Sequence, residues 1–363
     1  MKKEELYKNM LKIVPVKPDG QDFRVCLRKE LANYQKQISH LDAADRPNDW
    51  INILNRLKQL CDGILRAVDN EYKGMRHSAY TSIKNQLDGY ISKNNEIEGL
   101  AYDQNILHVG EKTSFFRMRK VQIEERDKLG RDGLFHIPLN RNGLVSTQRY
   151  SAPGYPCLYL SHRVYGCWEE MGRPDFGTIM VSHFESDLEF NVLDLRIPSK
   201  EAWEKDLKRC ILFFPLVIAT MVQVGNPKDS YKPEYTIPQI LTEWVISRNR
   251  HKANNMEEII GIVYTSAQKN SDFDYPDDSW DNYAIPVLQP LANSTFCPRL
   301  NEIFSSCVPT YYDLEVLKQG EYINGGFHGL NKEEQKKENI NISDCSTLNV
   351  PPISLSNVPG ISE

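Results

Sequence analysis

The sequence predicts an α+β protein, and three observations lead there. Between Trp50 and Ile91 apolar residues recur at three- and four-residue spacing, the period of one helix face. From Ser114 onward, short apolar or alternating runs read as strands: SFFRMRKVQ, CLYL, GTIMVSHFES, FNVLDL, EEIIGIVYTSAQ and NYAIPVLQPL. Helical stretches, PSKEAWEKDLKRCILFFPLVIATMVQV and YTIPQILTEWVISRNRH, lie among those strands, so both element types share one region.

Taken in order, residues 1 to about 48 are polar and mixed, with a loop at PVKPDGQDF and helical character in VCLRKELANYQKQISHL. Asn48 or Asp49 is placed to cap the next helix, which carries Trp50, Ile53, Leu54, Leu57, Leu60, Ile64, Leu65 and Val68. A further helical stretch holds Tyr80, Ile83, Leu87, Tyr90 and Ile91. Residues 1–98 therefore form a helical region without evident chemistry, either an interaction module or an extension packed on the main domain. The polar segment KNNEIEGLAYDQN reads as a boundary. The main domain is expected over 113–325. Residues 326–363, where apolar density falls and Pro rises, read as a disordered tail.

Composition sets bounds on function. The chain has 363 residues, 40% hydrophobic and 26% charged, the profile of an ordinary soluble protein with room for two domains. A net charge of −5 gives no general attraction to nucleic acid or membranes. The eight Cys are scattered with no CxxC and no metal-binding spacing, which reads as reduced thiols. MKKEELYKN leads into more charge rather than an apolar signal core, so a cytoplasmic protein is expected. The most apolar run, Ile211 to Val224, is too short to span a bilayer and contains Pro215. It reads as a buried helix with a kink or break at the proline.

The stretch around which the chain is organised is RYSAPGYPCLYLSHRVYGCWEE, Arg149 to Glu170. Its Pro/Gly turn sets direction, because Pro fixes φ and Gly permits a positive one. The run CLYL carries Tyr159, and the following segment reads as a helix start bearing Glu170. In SFFRMRKVQ, Arg117 and Arg119 fall on one face of a strand. Ser266 ends another strand, and Gln239 lies in the first turn of a helix starting near Pro238. A guanidinium presents a planar fork to phosphate, and an aromatic ring gives a stacking face. A carboxylate stabilises an oxocarbenium-like centre, and a hydroxyl positions a ligand. Each residue also has an ordinary structural reading: an ion-paired Arg, a core Tyr, a Glu at a helix terminus, a Ser capping a strand end.

The ordered set of motifs resembles the RES domain family, named for its Arg, Glu and Ser. RYSAPGYPCLYL with a Glu eleven residues after the Tyr carries the resemblance, supported by FFRMR, FNVLDL, YTIPQILTEWV and GIVYTSAQ, over about Ser114 to Leu291. Tyr150 stands where that family commonly has Trp. The resemblance implies an ADP-ribosyltransferase-like fold of two packed β-sheets with flanking helices. It implies cleavage of NAD at the nicotinamide–ribose bond by hydrolysis or phosphorolysis, with no metal or other cofactor. By position, Arg149, Glu170 and Ser266 are implied catalytic residues. Arg117, Arg119, Tyr159 and Gln239 are implied substrate contacts. The implied role is that of a bacterial toxin or defence effector restrained by a helix-turn-helix antitoxin, with homo-oligomers possible in the family. Protein ADP-ribosylation and a non-catalytic binding scaffold are the alternatives.

Other signals read as bland. The acidic loop with Asp272, Asp274, Asp277, Asp278 and Asp281 lacks the Gly and terminal Glu of a calcium-binding loop and reads as solvated. The sequon at Asn293 matters only on secretion. His136, a lone loop histidine, reads as exposed.

Overall fold

The computed structural model describes residues 1–88, 90–91, 97–98, 105–250, 257–268, 280–288 and 294–311. The expected boundary segment for the most part, the acidic loop apart from Asp281, Asn293 and the C-terminal tail lie outside them.

Helices come first: α1 (Lys3–Leu11), α2 (Phe23–Ser39), α3 (Trp50–Tyr72) and α4 (Arg76–Asp88). The apolar stripe read between Trp50 and Val68 is buried at Ile53, Leu57, Leu60, Ile64 and Val68, so α3 forms for the expected reason. Asp49 does precede it, but with φ 61° and no side-chain cap bond. A small hairpin, β1 (Tyr90–Ile91) with β2 (Ile97–Glu98), follows.

The rest builds one mixed sheet. Its strands are β3 (Ile106–Val109), β4 (Ser114–Lys120), β5 (Cys157–Ser161), β6 (Ile179–Ser186), β7 (Phe190–Leu195), β8 (Ile259–Thr265), β9 (Asp281–Pro286), β10 (Phe304–Ser306) and β11 (Thr310–Tyr311). Helices α5 (Val164–Glu170), α6 (Lys200–Lys205), α7 (Leu207–Thr220), α8 (Thr236–Arg250) and α9 (Pro298–Ile303) are interspersed. The sheet order is β10-β6-β4-β5-β9-β8-β7-β3, with β11 also on β6. Among the described strands only β7 and β8 run parallel; the α6–α8 helices form the crossover that a parallel pair requires.

The α+β class is met. Where two packed β-sheets are expected, hydrogen bonding joins the described strands β3–β11 into one path. That path is pinched, however. β4 meets β6 over seven residue pairs but β5 at one, Phe116 opposite Ser161. Two further short strands, β10 and β11, follow the run NYAIPVLQPL. At Gly261 in β8 an added Cβ would come 2.6 Å from the Ala284 carbonyl oxygen of β9, a contact that only Gly allows.

Pro215 does not break its helix. The chain breaks earlier, at Asp206, whose carboxylate accepts the Arg209 N–H and caps α7. Inside α7 the Ile211 carbonyl would normally accept the N–H of residue 215, which proline lacks. Tyr34 of α2 supplies the missing donor: its buried hydroxyl donates to Ile211 O at 2.8 Å. Its ring lies 5.2 Å from that of Phe214. Other polar ties join the same parts. Trp203 Nε1 donates to Lys3 O at 3.1 Å, Tyr7 Oη to Pro198 O at 3.0 Å, and Trp244 Nε1 to Asp88 Oδ1 at 2.6 Å. Residues of α1–α4, α7, α8 and the sheet share one contiguous apolar core. Among the described residues no helix is long and apolar enough to cross a membrane.

Tyr34→Phe should cost about 1–3 kcal/mol of stability, the penalty for a buried acceptor left unpaired. Adding Pro215→Ala should recover part of it by restoring the helical N–H. Urea unfolding of the single and double variants checks both.

Candidate functional site

The site is built on a tight turn. Gln148 and Ser151 exchange backbone hydrogen bonds, N–H to O at 3.0 and 3.2 Å, which puts Arg149 and Tyr150 at the tip. Gly154, with φ 81°, then redirects the chain toward β5, as the SAPGYP reading expects. Two side chains lock the turn. The Tyr159 hydroxyl accepts from Tyr150 N at 3.1 Å and lies 3.0 Å from Ser151 Oγ. Gln239 Nε2, on α8, sits 3.0 Å from Gln148 O, 3.1 Å from Ser151 O and 3.1 Å from Thr147 Oγ1. The polar groups of Tyr159 and Gln239, expected to meet substrate, are thus engaged in holding the Arg149 turn.

The two tip residues separate. Tyr150 is fully buried, its ring 4.4 Å from that of Tyr264 on β8. The Arg149 guanidinium lies over the Tyr235 ring at 5.2 Å, a cation–π contact. Its Nη1 donates to Thr220 O at 3.0 Å, at the end of α7.

Glu170 is the last residue of α5, not at its start. Gly172, with φ 73°, ends the helix: its N–H bonds Glu169 O at 2.9 Å and the Arg173 N–H bonds Trp168 O at 3.0 Å. An anion at a helix C-terminus is disfavoured by the dipole. Asn282 of β9 offsets this by donating Nδ2–H to Glu170 Oε1 at 2.9 Å. The neighbouring Glu169 is buried and its carboxylate is clamped by Arg173 at 3.0 Å, so the spacing argument for Glu170 picks out the exposed, chemically available carboxylate.

Arg149 and Glu170 act on the same three phenols. Burial raises the Tyr150, Tyr235 and Tyr264 pKa values; Arg149 opposes and Glu170 reinforces the shift at each. The structure therefore gathers Arg149 and Glu170 around one cluster of tyrosines. Ser266 follows β8 two residues beyond Tyr264. It is buried, its N–H bonds Trp280 O at 2.8 Å, and its Oγ accepts from Gln268 N at 3.0 Å, the capping arrangement of a strand end.

Arg117 and Arg119 do share a face of β4, but differ in setting. Arg119 is exposed. The Arg117 side chain is half-buried, and its Nη1 is wholly buried with no hydrogen-bond partner among the described residues. Burial, with a smaller contribution from the positive charge of Arg119, lowers its pKa to about 10. The thiols of Cys157 and Cys167 are its neighbours, yet burial pushes both up to about 12, so neither is a thiolate counter-ion at neutral pH. A guanidinium desolvated without a counter-anion costs several kcal/mol.

Sequence reasoning missed Asn282, Tyr235 and Tyr264. One signal was available for Asn282: an amide inside an apolar strand must find partners when buried, and all of β9 is buried. Two readings are corrected. Asp281, taken as part of a solvated loop, is buried and pairs with Arg196 at 3.3 Å. His136, taken as exposed, is 1% exposed; its Nε2 accepts from Cys297 N at 2.8 Å and its Nδ1–H donates to Ile137 O at 2.8 Å.

Among the described residues are two cavities. One of about 530 Å³ is bounded by Tyr7, Arg196 and Phe213. One of about 700 Å³ lies between the 147–155 segment and α8, with Gln239 in its wall.

No family model matches the chain, and no solved structure matches it. The chain is 32% identical over 309 residues to a Bacillus subtilis (strain 168) protein named "Putative toxin YopC". The match covers 81% of this chain and 67% of that relative. The chain belongs to the family of that protein. The family assignment spans most of the sequence, so it takes in helices as well as sheet.

Burial lowers the His136 pKa from 6.5 to about 4. Below pH 6.5 the unfolded chain binds a proton that the folded protein refuses until about pH 4, so this group costs stability as pH falls through that window. Thermal unfolding followed from pH 7 to 4 should show a shallower decline for His136→Gln than for the native chain.

Proposed function

We propose that this protein consumes NAD, cleaving the nicotinamide–ribose bond as a glycohydrolase or phosphorylase on a RES-type, ADP-ribosyltransferase-like core. The observation that carries the reading is Arg117, whose buried Nη1 has no hydrogen-bond partner among the described residues. A buried cation of this kind suits a ligand that brings the negative charge itself. The pyrophosphate of a dinucleotide does so. The pinch between β4 and β5, where Arg117 and Tyr159 lie on facing strands, fits a cleft between two halves of a sheet.

In this reading Arg117 binds the pyrophosphate, with Arg119 adding positive potential at the mouth and Arg149 approaching from the Tyr235 side. Tyr159 and Gln239 fix the turn that aims Arg149. Glu170, steadied by Asn282, faces the ribose and stabilises the cationic centre that forms as the glycosidic bond breaks. Nicotinamide leaves as a neutral base, taking the bonding electron pair, so no strong general acid is needed. Water or phosphate then adds at the anomeric carbon, its proton passing to solvent. Ser266 positions the nicotinamide ribose. In this reading the reaction needs no metal. The relative's name supports a role as a toxin, and a helix-turn-helix antitoxin is the partner expected to restrain it.

Nicotinamide release from NAD by the full chain tests the proposal. Glu170→Gln, which keeps the acceptor for Asn282, should lower kcat about 100-fold or more without changing the unfolding temperature. Acceleration by phosphate separates phosphorolysis from hydrolysis. Equal rates for both proteins, or transfer of ADP-ribose to added protein in place of free nucleotide products, would replace this reading.

A further inference from the structure

Arg149 and Ala267, the residue after Ser266, come from distant parts of the chain, yet both bond to the stretch 220–223. Thr220 O accepts from Arg149 Nη1. Three residues on, Gln223 Nε2 donates to the Ala267 carbonyl at 3.1 Å. Ala267 is buried and directly follows Ser266. The N-terminal segment fixes the stretch between these two contacts. Val16 N donates to Met221 O at 2.9 Å, and Gln223 N donates to Val16 O at 2.9 Å, a parallel bridge centred on Val222. Val16, Met221 and Val222 are all buried, so this bridge is shielded from competing water.

We propose that Gln223 is a positioning residue of the site, joining the Arg149 anchor to the Ser266 turn, and that the N-terminal segment at Val16 seats it. The backbone of Gln223 is set by the start of the chain and its side chain sets a turn at the end of β8. The consequence is that the N-terminal region completes the site instead of merely covering it. The functional arm of this proposal rests on the NAD-cleavage reading; the structural arm does not.

Two substitutions separate the amide's donor from its bulk. Gln223→Met keeps the length but cannot donate, whereas Gln223→Lys donates over a similar reach. Losing one hydrogen bond to a buried carbonyl corresponds to about a tenfold change. Amide hydrogen exchange at Ser266 and Gln268 should rise about tenfold in Gln223→Met and return toward the native rate in Gln223→Lys. The kcat for nicotinamide release should fall about tenfold in the Met variant with KM nearly unchanged, and recover in the Lys variant. Exchange within about twofold of native in Gln223→Met would overturn the proposal. So would equal impairment of both variants, or a general rise throughout β8 and β9. If the native chain releases no nicotinamide, the NAD reading fails, and the exchange comparison still decides the role of Gln223.

Discussion

The site depends on the turn between Gln148 and Ser151. Two residues cannot aim a guanidinium unless their backbone is held, and here a strand and a helix hold it together. Tyr159 reaches from β5 to the Tyr150 N–H, and Gln239 reaches from α8 to carbonyls at both ends of the turn. Each such bond contributes only about 0.5–1.5 kcal/mol net, but all converge on one four-residue segment. Tyr150 then locks inward against Tyr264, leaving Arg149 directed at Tyr235 and at the end of α7.

That makes α7 the second requirement. Its Thr220 carbonyl receives Arg149, and its interior contains a proline that removes one helical hydrogen bond. The compensation comes from outside the helix, from the Tyr34 hydroxyl. The N-terminal helices therefore repair the element that anchors the site, and the Val16 bridge holds the segment just beyond it. Removing the first ninety or so residues would uncover α7 and reopen the Ile211 carbonyl, so the helical region and the sheet are best tested as one unit.

Much of this was readable from sequence, because local rules govern it. The period-3.6 stripe of α3 and the short strand runs depend on side-chain alternation alone, and both appear where expected. So do the turn glycine at 154 and the placement of Arg117 and Arg119 on one face. What escaped the sequence depends on long-range partners. Pro215 looked like a break because nothing local shows that Tyr34, far away in sequence, supplies the absent donor. Glu170 looked like a helix start, since the Gly172 terminator could not be weighed against the strand before it. Asn282 and Tyr264 become site residues only once β8 and β9 pair, as Tyr264 faces Asn282 in their register. His136 looked exposed because a loop residue carries no local sign of burial.

The central claim is that the buried Arg117 Nη1, without a hydrogen-bond partner among the described residues, is kept for an anionic ligand. Calorimetric titration with ADP-ribose, comparing the native chain with Arg117→Met, tests it most directly. Replacing an uncompensated buried charge with an apolar group of similar length should leave stability equal or raised, while a charge-assisted bond to phosphate worth roughly 1.5–3 kcal/mol is lost. The account therefore predicts a variant that unfolds at the same temperature or higher and binds ADP-ribose at least about tenfold more weakly. Unchanged affinity in a well-folded Arg117→Met protein would contradict it.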